Sequence, residues 1–176
     1  MLPTEVLARI DLLVLDVDGV LTDGRVTYSD DGREIKSFHV RDGLALRSWH
    51  NGGKQSAIIS GRSSPTVARR AAELGIQWIV QGAGDKLPAF RKLLAALGRE
   101  PGTVCVIGDD LPDLPLVHNC AFGVAVADGC AELKAVAHHV TRQPGGHGAV
   151  REVIEILLKS QQQWQPLVER LMAERF

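Results

Sequence analysis

Short aliphatic runs alternate with longer segments of helical periodicity along most of the chain. Runs of this length are typical of strands buried on both faces of a parallel sheet, and the intervening segments are typical of the helices that cover it. We predict strands at about residues 10–17, 54–60, 76–80, 104–107, 122–126 and 138–141. We predict helices at about residues 3–9, 42–49, 64–74, 85–97, 131–136 and 149–159. The pattern therefore indicates an α/β fold with a doubly wound, mostly parallel sheet.

Two segments depart from this alternation. Residues of about 25–39 carry two short apolar stretches around Ser29-Asp30-Asp31-Gly32, which predicts a small β-hairpin. The tail, about 143–176, begins with a glycine-rich stretch, and we expect Pro166 to separate a polar segment at 160–165 from a final amphipathic helix. We expect residues 1–176 to form a single domain.

Composition narrows the possible partners and compartment. A formal net charge of −1 over 176 residues argues against nucleic acid and anionic membranes, because neither would attract the molecule as a whole. The sequence shows no signal-like or membrane-spanning apolar segment. Three cysteines without C-x-x-C spacing suit reduced thiols, so a cytoplasmic location is expected.

Polar residues follow three of the predicted strands directly. Asp16 and Asp18 end the first strand, Ser60 ends the second, and Asp109 follows the fourth. The carboxyl ends of parallel strands meet at one edge of the sheet, where ligands bind. A carboxylate at the end of a buried strand is costly unless a cation or several donors meet it. The sequence therefore predicts a cation site at this edge.

These side chains suit phosphoryl transfer. Converging carboxylates favour Mg²⁺, which commonly binds one or two carboxylates together with a substrate phosphate. Asp16 could attack phosphorus, and Asp18 could protonate the leaving oxygen and later accept a proton from water. Ser60, the amide of Gly61 and Lys86 could bind the oxygens of the transferring group.

The ordered motifs resemble those of the haloacid dehalogenase superfamily of phosphatases. The motifs are Asp16-Val-Asp18-Gly-Val-Leu-Thr22, Ser60-Gly-Arg62, Lys86 and Gly108-Asp109-Asp110-x-x-Asp113. The resemblance implies Asp16 as nucleophile and Asp18 as acid/base, with Asp16, the Asp18 carbonyl and Asp109 binding Mg²⁺. It also implies that Ser60 and Lys86 bind phosphate, and that Asp110 or Asp113 orients Lys86 or a water on the metal.

A narrower resemblance covers nearly the whole chain. The hairpin, Phe38-His39-Val40-Arg41-Asp42-Gly43, the segment 58–62, the spacing within 67–76 and the tail segment 145–152 are similar to 3-deoxy-D-manno-octulosonate 8-phosphate phosphatases. That family implies hydrolysis of a sugar-acid phosphate in lipopolysaccharide precursor biosynthesis. It also implies a homotetramer in which the hairpin replaces a cap domain, and the hairpin and tail of one subunit help close a neighbour's site.

The same resemblance predicts a substrate pocket. Guanidinium groups grip carboxylates with paired hydrogen bonds, which suits Arg62 and Arg70 to a sugar acid. The remaining predicted pocket residues are Asp18, His39, Val40, Arg41, Asp42, Gly43, Arg47 and Lys86. His39 departs from the family, in which a small amide is expected, and so does the extension past Lys159 that contains Gln and Trp residues.

Three alternatives stay open at this point. A phosphatase of a related nonulosonate 9-phosphate would share the catalytic residues and differ in the pocket. A phospho-accepting receiver domain also combines an acidic Mg²⁺ site with a lysine, but it lacks an acid/base two residues after its phosphorylated aspartate. A catalytically silent assembly module would not need Asp16, Asp18, Lys86 and Asp109 together.

Overall fold

A computed structural model describes residues 3–173. Its strands are β1 (Leu12–Leu15), β2 (Thr27–Tyr28), β3 (Glu34–Ile35), β4 (Gln55–Ile59), β5 (Trp78–Val80), β6 (Val104–Gly108), β7 (Phe122–Ala125) and β8 (His139–Val140). Its α-helices are α1 (Thr4–Ala8), α2 (Val40–Asn51), α3 (Pro65–Leu74), α4 (Lys86–Leu97), α5 (Leu114–His118), α6 (Ala131–Val136), α7 (Ala149–Ser160) and α8 (Trp164–Ala173). None of the helices in this part of the chain is both long and apolar enough to cross a membrane.

The predicted parallel sheet is confirmed. Six strands run parallel in the order β5-β4-β1-β6-β7-β8, with β1 near the centre. Leu13 and Leu15 belong to the apolar layer that contains α2, α3 and α7, whereas Leu12 and Val14 belong to the layer beneath α4, α5 and α6. Because successive side chains of a strand point to opposite faces, one aliphatic run supplies both layers.

The hairpin is present and separate from the main sheet. Thr27 pairs with Ile35 and Tyr28 pairs with Glu34 in an antiparallel ladder. The Ser29 amide donates to the carbonyl oxygen of Arg33, and the Gly32 amide donates to that of Ser29, which closes the turn. The hairpin is too small to cover a cavity as a lid domain would.

The last helix corrects one prediction. Helix α8 begins at Trp164, so Pro166 lies within its first turn and does not separate the helix from the polar segment. Proline is tolerated there because the first amides of a helix have no intrahelical acceptor. Trp164 is half-buried beneath the guanidinium of Arg151, whose Cζ lies 4.7 Å from the ring, whereas Leu171 is exposed.

Glycines of the tail fit closely against the loop that follows β1. The amide of Gly146 donates to the carbonyl oxygen of Val20 at 2.9 Å. A Cβ built on Gly145 would lie 1.6 Å from the carbonyl oxygen of Gly19, so another side chain does not fit without moving backbone. The tail therefore fixes the loop that carries Asp16 and Asp18.

We expect Gly145→Ala to lower the free energy of unfolding by about 2 kcal/mol or more, because the added methyl displaces the loop after β1. Urea unfolding followed by circular dichroism measures the change. Gly102→Ala is the matched control, since a Cβ there has no other atom within 4 Å. Equal unfolding midpoints for the two variants would contradict the close fit.

Candidate active site

One cavity of about 290 Å³ lies at the carboxyl ends of β1, β4 and β6. Parallel pairing of Leu15 with both Ile58 and Ile107 aligns these strand ends, so the residues that follow each strand become neighbours. Nine of the predicted site residues line the cavity: Asp16, Asp18, Ser60, Gly61, Arg62, Lys86, Asp109, Asp110 and Asp113.

Lys86 joins two of these carboxylates. It is the first residue of α4, whose N-cap Asp85 accepts a hydrogen bond from the amide of Leu87. Its ammonium donates to Asp16 Oδ1 and to Asp113 Oδ1, both at 2.7 Å, and its side chain is buried. Burial alone would lower the pKa of Lys86, but the two negative charges outweigh it and raise that pKa.

Negative charge is in excess around this lysine. One carboxylate oxygen from each of Asp16, Asp109 and Asp113 lies within 4.8 Å of the others. Burial, followed by the charge of Asp113, raises the pKa of Asp16 to about 6. Burial, followed by the charges of Asp16 and Asp113, raises the pKa of Asp109 to about 8. An oxygen-rich cluster with surplus negative charge fits a hard divalent cation.

The backbone around Asp109 permits this crowding. Gly19 has a φ of +98°, and a Cβ there would lie 2.1 Å from Asp109 Oδ2. Glycine therefore serves two needs, a left-handed turn and the approach of a carboxylate. The amide of Asp109 donates to Asp113 Oδ2 at 3.1 Å.

The two candidates for orienting Lys86 differ clearly in position. Asp113 is 2% exposed and contacts both Lys86 and the Asp109 amide. Asp110 is exposed and lies at the rim of the cavity. The geometry therefore favours Asp113 as the residue that holds Lys86 in place.

Asp18 faces cations that come from two other segments. Its Oδ1 contacts the ammonium of Lys36, and its Oδ2 lies 3.6 Å from Arg62 Nε. Sequence reasoning missed Lys36 because a lysine in a polar hairpin is usually solvated. No strand periodicity indicates this contact, because β3 spans only two residues.

Ser60 and Gly61 line the cavity at the carboxyl end of β4. The Ser60 side chain is buried, and its Oγ accepts a hydrogen bond from the amide of Arg62 at 3.3 Å. Gly61 is exposed at the turn that follows β4. A hydroxyl and a turn amide therefore border the same cavity as Lys86 and Asp16.

The other predicted pocket residues do not line this cavity within the chain. Arg41 lines a cavity of about 380 Å³ beside α7, and Val40 and Arg70 line one of about 320 Å³ beside α3. Asp42 is buried and accepts a hydrogen bond from the amide of Arg151 at 2.7 Å.

The remaining three belong to the beginning and middle of α2. His39 is the N-cap residue of the helix, Gly43 packs against the Arg70 guanidinium, and Arg47 is exposed. A role for the 39–47 segment and Arg70 in substrate binding therefore stays a prediction.

Comparison with known proteins gives consistent matches. The profile of a family described as haloacid dehalogenase-like hydrolase matches residues 77–154. The 3-deoxy-D-manno-octulosonate 8-phosphate phosphatase of Yersinia pestis is 46% identical over 154 residues, which cover 88% of this chain and 82% of that protein.

Solved structures agree over almost the full length. The 3-deoxy-D-manno-octulosonate 8-phosphate phosphatase of Moraxella catarrhalis, in complex with magnesium, phosphate and KDO, has a TM-score of 0.93 at 45% identity. That match covers 96% of this chain and 97% of the other. A probable YrbI family phosphatase from Pseudomonas syringae has a TM-score of 0.95 at 41% identity and covers 98% of both chains.

We expect Asp109→Asn to stabilise the protein in chelator and to abolish most of its stabilisation by Mg²⁺. The raised pKa of Asp109 means that its carboxyl favours folding at low pH and loses that contribution as pH rises from 3.8 to about 8. The gain should therefore be largest at pH 8 or above. A gain of about 1 kcal/mol corresponds to about 2–4 °C in Tm for a chain of this size.

Thermal unfolding in EDTA and in Mg²⁺ measures both effects. Asp110→Asn is the matched control, because it removes the same charge from the exposed neighbour outside the cluster. A Tm in EDTA no higher for Asp109→Asn than for the wild-type protein would contradict the proposed repulsion.

Proposed function

This chain belongs to the 3-deoxy-D-manno-octulosonate 8-phosphate phosphatase family of haloacid dehalogenase-like hydrolases, and we propose that it hydrolyses that sugar-acid phosphate to the free sugar acid and inorganic phosphate. The observation that carries the proposal is the meeting of Asp16, Asp18, Lys86 and Asp109 in one cavity of a chain with this full-length similarity. This reaction is a step in the biosynthesis of lipopolysaccharide precursors.

In this proposal Asp16 is the nucleophile. Lys86 holds Asp16 Oδ1 at 2.7 Å, and a carboxylate oxygen of Asp16 attacks phosphorus. The bond between phosphorus and the sugar oxygen breaks, and the phosphoryl group becomes an acyl phosphate on Asp16. The Lys86 charge, the Ser60 hydroxyl and the Gly61 amide bind the oxygens of the transferring group.

Asp18 moves the protons. Its carboxyl group gives a proton to the departing sugar oxygen, which would otherwise leave as a strongly basic alkoxide. The resulting carboxylate then accepts a proton from the water that attacks the acyl phosphate. Inorganic phosphate leaves, and Asp16 returns to its initial state.

Mg²⁺ fits the acidic cluster, and we assign it to the carboxylates of Asp16 and Asp109 and the main-chain carbonyl of Asp18. When bound, the cation neutralises charge on the phosphate and on the crowded acids. Asp113 remains with Lys86 and the Asp109 amide, so it keeps the lysine in place.

Recognition of the sugar acid is proposed to need neighbouring subunits. The hairpin leaves the apolar residues Val26, Tyr28 and Ile35 between 43% and 61% exposed, which is typical of a surface that another chain covers. We propose a homotetramer in which the hairpin and tail help close adjacent sites, with Arg62 at the rim. The 39–47 segment and Arg70 would then complete the pocket.

A cytoplasmic location agrees with this function. The three cysteines, Cys105, Cys120 and Cys130, show no C-x-x-C spacing and suit reduced thiols.

We expect Asp16→Asn to reduce turnover at least about 10³-fold without unfolding the protein, because it removes the nucleophile. Phosphate release is measured with 3-deoxy-D-manno-octulosonate 8-phosphate, a nonulosonate 9-phosphate and simple sugar phosphates, with Mg²⁺ and with EDTA. The octulosonate ester should give the highest kcat/KM, and only with Mg²⁺. A preference for the nonulosonate ester would support the alternative substrate, and near wild-type rates for Asp16→Asn would refute the mechanism.

We expect Ile35→Glu to form a smaller assembly, because it places a charge on an exposed apolar position of the hairpin, on the face opposite Glu34. Light scattering after size-exclusion chromatography measures the mass. The kcat/KM for the sugar-acid phosphate should fall more than that for p-nitrophenyl phosphate, which needs little of the pocket. Val136→Glu is the control, an apolar residue 43% exposed on α6. An unchanged mass would exclude the hairpin from the interface.

A further inference from the structure

Lys36 is a buried charge without an assigned purpose. It directly follows β3, and its side chain is 1% exposed, whereas that of Arg33 at the hairpin turn is 82% exposed. A lysine is almost never fully buried unless its charge is paired. Its ammonium contacts Asp18 Oδ1 and lies 3.4 Å from Glu34 Oε1.

Asp18 belongs to a network of four charged side chains. The other three are Glu34, Lys36 and Arg62. Arg62 Nη2 donates to Glu34 Oε1 at 2.7 Å, while Arg62 Nε lies 3.6 Å from Asp18 Oδ2. Lys36 and Arg62 therefore approach different oxygens of Asp18, and Glu34 bridges the two cations. The side chain of Asp18 is held between the hairpin and the turn after β4.

The two oxygens of Asp18 are not equivalent in this arrangement. Oδ1 is hydrogen-bonded by Lys36, whereas the contact of Oδ2 with Arg62 Nε is longer than a hydrogen bond. Oδ2 is therefore the oxygen left for exchanging a proton with the leaving group and with water.

We propose that Lys36 is a positioning residue, which holds Asp18 so that Oδ2 faces the leaving oxygen of the substrate. This inference rests on the proposed function, because it assumes that Asp18 protonates the leaving group. Lys36 acts through Asp18 and exchanges no proton with the substrate. The hairpin thus takes part in the chemistry of its own chain as well as in assembly.

The test compares leaving groups, because a misplaced acid harms only those leaving groups that need a proton. Substituted phenyl phosphates of graded leaving-group pKa give the slope of log kcat/KM against that pKa for the wild-type protein and for Lys36→Met. This slope should be steeper in Lys36→Met. Its kcat/KM should fall roughly 100-fold for the sugar-acid phosphate, and little for p-nitrophenyl phosphate.

Two further variants define the role of Lys36. Lys36→Arg keeps the charge but changes the shape of the donor, so its slope should lie between those of the wild-type protein and Lys36→Met. Arg33→Met removes a cation from the exposed part of the same hairpin and should keep the wild-type slope. Circular dichroism establishes that each variant is folded.

An equal loss of kcat/KM for every phenyl phosphate would overturn the inference, because it would indicate a general loss of positive charge near the phosphate. No loss for any substrate would overturn it as well. If Lys36→Met does not fold, Lys36→Arg alone decides, and a wild-type slope there counts against positioning. A wild-type protein without phosphatase activity would refute the proposed function itself, a different outcome from an active wild type whose slope Lys36→Met leaves unchanged.

Discussion

The active site depends on the interaction of one buried lysine with a surplus of carboxylates. Lys86 lies between Asp16 and Asp113 at hydrogen-bond distance, and Asp109 adds a further carboxylate close by. A buried ion pair offers little net stability, since desolvation offsets most of the attraction. The cluster is therefore better explained by its chemistry: it leaves a net negative charge that a divalent cation can satisfy.

A few backbone constraints bring the residues of this cluster together. Parallel pairing aligns the ends of β1 and β6, which places Asp16 beside Asp109. Gly19 gives Asp109 the space to approach, and the tail glycine Gly145 packs on the Gly19 carbonyl from the other side. The loop after β1 is therefore held between a strand end and the tail, which fixes the positions of the acids. Such preorganisation is what makes electrostatic catalysis effective.

Much of this arrangement could be predicted from the sequence because it follows from local patterns. An aliphatic run that ends in Asp16 predicts a buried strand with an acid at its carboxyl end. The alternation of aliphatic runs and helices predicts a parallel sheet, in which the carboxyl ends of the strands lie at the same edge. The contact between Lys36 and Asp18 could not be predicted in the same way. It depends on how a short hairpin lies over the sheet, and a strand of two residues carries almost no periodic signal. The prediction that Pro166 precedes the last helix was wrong for a similar reason. Proline is tolerated anywhere in the first turn of a helix, so it indicates where a helix begins only to within one turn.

The hairpin resolves a difficulty that a small phosphatase faces without a lid. A reactive acyl phosphate must form with the chosen substrate, and closure of the site commonly provides that selection. Here one strand of the hairpin carries Glu34 and Lys36 toward Asp18, while the exposed Ile35 on the opposite face is available to a neighbouring chain. If the neighbour fixes the hairpin, it also fixes Lys36, and through it the acid that releases the sugar. Assembly and proton transfer would then share one short element, so the acid would be fully positioned only in the assembled enzyme.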